Sequence, residues 1–221
     1  MKKLLILMVG ILFLVETKAQ ELNVSVDFFN RYVWRGVEYG SSPSIQPTVE
    51  FSKGIFSLGA WGAYATSGTE GAGYYAEADL YASFAFKNGL SFGITDYYYP
   101  GTSWFEFDDE TSSHAIELNL GYAIGKFSLA GNYIVNDSRY GAGAEGGDLY
   151  FEAGYASGLF SAFIGGGDGW HTTDGNFQVC NMGIGAEKEL KITDSFSLPV
   201  MGSVILNPNT EQLFLVVGFS L

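Results

Sequence analysis

Carboxylates at alternate positions are the first chemical signal in this chain. Glu77 and Asp79 stand two residues apart, and Asp148 and Glu152 four apart. Asp27, Glu50 and Glu117 sit at similar polar positions within otherwise alternating runs. Arg31 and Arg35 supply the opposite charge, again four apart, and Trp61, Tyr81, Tyr97 and Tyr99 fall on the same face of the alternation as these polar positions. Charges repeated along one face offer electrostatic chemistry. They enrich counter-ions and orient dipoles; they do not make or break bonds.

Catalytic readings have little to draw on. The chain has two histidines, His114 and His171. Ser112 and His114 share a face, the nucleophile and base that a membrane lipid hydrolase needs, but no Asp or Asn follows at a spacing that would orient the imidazole. His171, in Asp168-Gly169-Trp170-His171, has no neighbouring His or Cys to complete a zinc site. The run Trp104-Phe105-Glu106-Phe107-Asp108-Asp109-Glu110 lacks the alternate ligands and central glycine of a calcium loop. It reads as a solvated loop tip, or as an aromatic loop folded into a pore mouth. Gly165-Gly166-Gly167 precedes a loop, not a helix, so it is no phosphate cradle. No cofactor or metal is implied.

The elements that must carry these residues have a period of two. In Leu22–Gly36, Leu22, Val24, Val26, Phe28, Tyr32 and Trp34 fall on one face and Asn23, Ser25, Asp27, Arg31 and Arg35 on the other. That is a strand with one apolar face. At about 45° of tilt, about 13 residues climb roughly 30 Å, the thickness of a bilayer core. Tyr32 and Trp34 are then expected in an interfacial aromatic girdle.

Met1–Ala19 reads as a secretory signal peptide, with Lys2 and Lys3 ahead of an apolar run too short to span a membrane. Its removal takes Lys2, Lys3, Lys18 and Glu16 and leaves 8 basic and 23 acidic residues, a net charge of −15. Such a balance argues against nucleic acid as a partner. Cys180 is the single cysteine and cannot form an internal disulfide. No later apolar run is long enough for a transmembrane helix. For an exported, aromatic, glycine-rich chain the remaining membrane solution is a closed barrel.

Residues 20–221 divide into about twelve alternating runs, an even number. After the first come Ser44–Ser52, Phe56–Ala65, Tyr74–Phe86, Leu90–Tyr99, His114–Tyr122, Phe127–Val135, Asp148–Tyr155, Phe160–Gly165, Phe177–Glu187, Phe196–Leu206 and Leu213–Leu221. The runs from Phe160 and Phe196 are apolar on both faces. Long connections (Gly36–Pro43, Thr66–Ala72, Pro100–Ser113, Asn136–Gly147, Gly166–Asn176) alternate with short ones at Lys53-Gly54, Asn88-Gly89, Ala123–Lys126 and Ala156–Leu159; Lys188–Ser195 is longer than a tight turn on the short side, and Asn207–Glu211 is a short final loop. A barrel with one end outside the cell and one in the periplasm predicts that alternation. Asp96 conflicts with it, sharing the parity of Leu90, Phe92 and Ile94. Either a bulge lies there or the residue stands above the lipid.

Asn30-Arg31-Tyr32-Val33-Trp34-Arg35-Gly36 followed by Pro43-Ser44-Ile45-Gln46-Pro47 resembles the TorF-type porin family. Gly59-Ala60-Trp61, Tyr97-Tyr98-Tyr99-Pro100-Gly101 and the lone Glu117 extend the likeness. The resemblance implies an outer-membrane location and a pore of unassigned substrate.

The expectation is therefore an all-β, antiparallel, transmembrane barrel forming a single domain after the signal peptide. Asp27, Arg31, Arg35, Glu50, Glu77, Asp79, Glu117, Asp148 and Glu152 are expected to line the lumen, and Trp61, Tyr81, Tyr97 and Tyr99 to narrow it. The corresponding function is passive, cation-preferring diffusion of small hydrophilic solutes. Outer-membrane lipids and the barrel-insertion machinery are the expected partners. A closed structural barrel and a lipid hydrolase are the alternatives.

Overall fold

The computed structural model describes residues 20–68, 75–108, 111–138 and 143–221. The expected signal peptide and the loop acids Glu70, Asp109 and Glu110 lie outside them. Fourteen strands follow in order: β1 (Gln20–Phe29), β2 (Tyr32–Trp34), β3 (Val37–Gly40), β4 (Ser44–Lys53), β5 (Phe56–Ala65), β6 (Ala76–Ala85) and β7 (Leu90–Tyr98). The second half comprises β8 (His114–Ile124), β9 (Phe127–Ile134), β10 (Leu149–Ser157), β11 (Phe160–Gly169), β12 (Gly175–Lys191), β13 (Ser197–Asn207) and β14 (Gln212–Ser220). β1 and β4 to β14 close into a twelve-stranded antiparallel barrel, and β2 and β3 form a separate two-stranded sheet.

Alternation decides the two faces of the wall. Leu22, Val24, Leu58, Leu118, Leu129, Ile184, Leu213 and Leu215 are exposed on the outside. Residues of the opposite parity, such as Glu77, Asp79 and Glu117, are buried inside. An apolar belt of this extent is a surface for hydrocarbon, not water. Aromatic pairs mark its short-turn edge: Phe56 against Phe84 with ring centroids 5.3 Å apart, and Phe127 against Tyr155 at 5.1 Å. No described helix is long and apolar enough to cross a membrane. Asp96 keeps its outward parity, since β7 pairs with both neighbours without a register shift.

The first run ends earlier than its alternation suggests. β1 stops at Phe29, and Tyr32 and Trp34 lie in the lumen instead of a lipid-facing girdle. Asn30 makes the departure possible. Its backbone N–H donates to the Val217 carbonyl, and its side chain accepts the Val217 N–H at 2.8 Å and donates to the Leu215 carbonyl at 3.1 Å. One amide thus extends the ladder with β14 while the chain turns inward. Residues expected as the loop Gly36–Pro43 supply the second hairpin strand. Arg35 and Gly36 form the two-residue turn, with φ of 49° and 80°. Such primed turns match strand twist and require positive φ at both positions. Gly36 also lies against β12, where an added Cβ would stand 2.0 Å from the Cys180 carbonyl oxygen.

The weak pattern of the run from Phe196 and the change of phase within β12 have local causes. Ile205, Phe214 and Val216 are apolar on the inside because Val33 of the hairpin packs on them, with Phe29 and Phe163 beside it. In β12, Gly165 pairs with Asn181 but Gly166 with Val179, so Cys180 is an extra residue in a bulge. Outward parity passes there from Phe177 and Val179 to Ile184.

The wall makes opposite demands on its two faces. Leu118→Arg, on the lipid face of β8, should cost about 2–4 kcal/mol of folding free energy, and Ser83→Arg, on the inner face of β6, under about 1 kcal/mol. Urea titration of refolding into lipid vesicles measures both. Equal costs would mean the faces are misassigned.

Candidate functional site

The inward hairpin and the wall it touches form the candidate site. Arg35, at the turn, donates two hydrogen bonds to Glu117 of β8, at 2.6 and 2.9 Å. Its guanidinium lies 4.2 Å from the Trp34 ring centroid and 4.3 Å from that of Tyr150. The Tyr97 hydroxyl and the Asn119 amide also donate to Glu117, at 2.9 and 2.6 Å. A planar fork, a carboxylate and two aromatic faces suit arginine and not lysine. Arg31 pairs within the hairpin with Glu38 at 3.0 Å. Asn207 donates to the Gly36 carbonyl and ties the turn to β13.

Aromatic rings fill the remaining space around the hairpin. Tyr32 packs against Trp61, Tyr39 and Tyr75 at 5.6 to 5.7 Å. Trp34 packs against Tyr97 at 5.3 Å and against Trp170 at 5.7 Å. Tyr99 lies just beyond β7, near Tyr39 and Tyr75. Glu77 is buried among these rings and accepts the Tyr75 hydroxyl. Asp79, two residues along, is also buried.

Below the hairpin the lumen widens into a cavity of about 430 Å³, lined by Phe29, Arg31, Val33, Gln46, Met201 and Ile205 among others. Polar pairs cover the rest of the inner wall. Tyr81 donates to Glu50 at 2.9 Å, Thr95 to Asn119 at 2.9 Å, and Tyr150 to Glu152 at 2.6 Å. Asn181 donates to Glu152 as well. On β1, Asp27 accepts the Ser220 hydroxyl across the closing seam.

Two titratable groups sit at the long-loop rim, beyond the strands. Asp148 is packed beside Asp168 and against Gly169, where φ is 52°. Burial first, then the Asp168 charge, pushes it up to about 6. Asp148 thus belongs to the rim. His171 is buried beside Tyr150 and Trp34 and accepts the Trp170 indole N–H at 2.9 Å. Burial, with the Arg35 charge, pushes it down to about 2, so the imidazole that accepts this bond is neutral.

The Ser112–His114 pair does not form a nucleophile and base. Asp96, from the preceding strand, holds His114 Nδ1 at 2.9 Å, an orienting partner absent from the local sequence pattern. His114 Nε2, however, faces the Trp104 carbonyl at 3.0 Å, and the Ser112 hydroxyl accepts the His114 backbone N–H. Tyr98, Trp104 and Phe107 cover the ring. The aromatic loop therefore packs against the outward-facing His114 and does not enter the pore mouth as one expectation had it. This cover also explains how Asp96 keeps an outward parity.

Residues the sequence reading missed are mostly on the hairpin: Tyr32 and Trp34, assigned to the wrong side, and Glu38 and Tyr39, read as loop. The available signal was Arg35-Gly36 followed by the alternating Val37, Glu38 and Tyr39, a short hairpin in its own right. Trp170 and Asn181 carried no comparable signal.

Gly36→Ala should undock the hairpin, because the new Cβ meets the β12 backbone and the turn needs positive φ. The expected result is loss of near-ultraviolet dichroism from the tryptophan–tyrosine cluster with far-ultraviolet strand signal retained. His171 predicts a pH effect. Its folded pKa lies below its unfolded value of 6.5, so its contribution is present above pH 6.5 and is lost as pH falls from there toward about 2. Asp148 acts in the opposite sense as pH rises from 3.8 toward about 6. The difference between wild type and His171→Gln isolates the histidine. In urea unfolding below pH 6.5, wild type should lose up to about 1.4 kcal/mol per pH unit relative to the variant.

Comparison with known proteins places this architecture among barrels. No curated protein matches the chain. The KdgM porin is 13% identical, over 89% of this chain and 97% of that one, with a TM-score of 0.50. A mutant of the Rh. blastica porin is 14% identical over 80% of this chain, with a TM-score of 0.44, and the chain spans only about half (54%) of its length. The Salmonella typhi outer membrane phospholipase dimer is 14% identical, covering 89% of this chain and 87% of that one, with a TM-score of 0.42. At these identities the likeness is one of fold. Residues 16–200 match the family described as "Bacterial protein of unknown function (Gcw_chp)", and the chain belongs to that family.

Proposed function

We propose that the protein is an outer-membrane channel for passive diffusion of small hydrophilic solutes, narrowed in its long-loop half by the hairpin and preferring cations. The observation that carries this reading is a hairpin folded into a closed barrel whose inner wall holds more carboxylates than arginines. Arg31 and Arg35 are both paired, with Glu38 and Glu117. Glu50, Glu77, Asp79 and Glu152 make no ion pair with a basic side chain among the described residues. In a narrow passage with low-dielectric walls, one sign of charge enriches its counter-ions. The porin name of the KdgM protein, and the resemblance to the TorF-type family, agree with this reading. Residues 1–19 then act as an export leader, and insertion machinery and outer-membrane lipids complete the assembly. No residue is assigned a catalytic role.

Conductance of the purified protein in a planar bilayer tests the reading. Discrete steps are expected, with a reversal potential of cation-selective sign across a salt gradient. That selectivity should weaken as the Debye length falls from about 10 Å at 0.1 M to about 3 Å at 1 M. Replacing residues 31–40 by a short Gly-Ser link should raise unit conductance by about twofold or more, since the hairpin occupies the passage. A silent membrane for both proteins would support a closed structural barrel instead. Anion selectivity would overturn the acidic lumen while leaving the channel.

A further inference from the structure

The buried carboxyl groups of β6 have no basic partner among the described residues. Glu77 and Asp79 share the inner face of one strand and are 1% and 5% exposed. Among the described residues neither meets an arginine, because Arg31 and Arg35 are held by Glu38 and Glu117. Glu77 is cushioned by hydroxyls: Tyr75 donates to it, and Tyr32 and Tyr99 lie beside it. Asp79 is different. Its Oδ1 is fully buried and has no hydrogen-bond partner. Buried polar atoms in folded proteins are nearly always satisfied, and an unmet carboxylate oxygen is among the costlier exceptions.

The surroundings specify what would satisfy it. Trp61 and Tyr97 stand directly opposite Asp79 on the two flanking strands. Tyr32 closes over Trp61 from the hairpin. The available ligands are thus carboxylate and hydroxyl oxygens, with aromatic faces beside them. Two carboxylates with no third acidic or imidazole group in reach fall short of the usual divalent set: no cluster of three or more potential metal-ligating side chains exists among the described residues. Aromatic faces favour a cation that sheds water readily, such as a large alkali ion or an ammonium group.

We infer that Glu77 and Asp79, with the hydroxyls of Tyr32, Tyr75 and Tyr99, form a binding site for a partly dehydrated monovalent cation beside the hairpin. This rests on the channel reading and deepens it, because it names where in the lumen cations are selected. A cation bound there also counters the charge that burial of the hairpin's tyrosines would otherwise leave facing them.

The test uses the full barrel in detergent, with rubidium and methylammonium as separate probes. Crystals grown in rubidium chloride should show an anomalous peak at Asp79 Oδ1. In solution, rubidium or methylammonium chloride should raise the unfolding midpoint saturably above N-methylglucamine chloride at equal ionic strength, as binding to the native state requires. Whichever probe acts identifies the source as alkali ion or ammonium. Asp79→Asn should raise the half-saturating concentration at least about tenfold, a change of about 1.4 kcal/mol. Glu77→Gln should act in the same direction, and Glu189→Gln, at the exposed end of β12, should leave it unchanged. The proposal fails if no peak forms, if N-methylglucamine stabilises equally, if calcium alone stabilises, or if Asp79→Asn binds like wild type. Conductance separates this from the channel itself. A conducting barrel with no rubidium peak sinks the site alone, and a silent barrel with the peak sinks the channel alone.

Discussion

The bidentate contact between Arg35 and Glu117 is the interaction on which the interior depends. Arg35 is carried into the barrel on a two-residue turn, and its side chain is only 10% exposed there. Moving a guanidinium out of water costs several kcal/mol, which a carboxylate repays only when geometry and further hydrogen bonds are good. Both conditions hold. Glu117 is braced by Tyr97 and Asn119, and the guanidinium lies against Trp34 and Tyr150. Loss of either partner would leave the other as a lone buried charge, a penalty of about 3–5 kcal/mol. The pair therefore holds the hairpin less by net attraction than by making every alternative position of Arg35 or Glu117 worse.

That contact also shows what alternation conveys and what it hides. The lipid-facing sets of β1, β4 to β8 and β14 follow from a period of two, because hydrocarbon accepts only apolar side chains. The lumen imposes no such rule, and there the pattern fails. Tyr32 and Trp34 continue the apolar phase of β1 although they have left the wall, since a hairpin strand inside the barrel is itself a strand. Asn30 marks the break, but its role as a backbone substitute is visible only once β14 is beside it. Arg31 and Arg35 were legible as inward residues, but not their partners. Glu117 lies 82 positions from Arg35, and no local spacing reports a pairing at that distance.

The interior has two unlike walls, and the hairpin matches both. On one side stand the acids and tyrosines of β6 to β10. On the other, Ile205, Phe214 and Val216 form an apolar surface. Val33 faces the second and Arg35 the first. The apolar inner residues of β13 and β14, which blur the alternation of β13, are thus a seat for the hairpin and not a break in barrel logic. The bulge at Cys180 has a similar local origin. Gly36 approaches the β12 backbone at that residue, so the irregular register and the tight turn occupy the same point in the fold.

Basic residues divide by type as well as by place. Every described lysine lies at the short-turn end: Lys53 and Lys87 at or beside turns, Lys126 in the turn before β9, and Lys188 and Lys191 toward the end of β12. The described arginines are both on the hairpin, toward the long-loop end. An ammonium on a flexible stem keeps its hydration and suits a headgroup layer, whereas a guanidinium loses less on burial and fixes a planar partner. The same division sets the field along the barrel. The charge of the described arginines is taken up by pairing with Glu38 and Glu117, which leaves the other wall carboxylates without a basic partner among the described residues, while the described lysines gather at the opposite mouth. In the proposed channel, a cation entering from the long-loop side would meet these carboxylates beside the hairpin that fills the lumen, so charge and shape would act at one level.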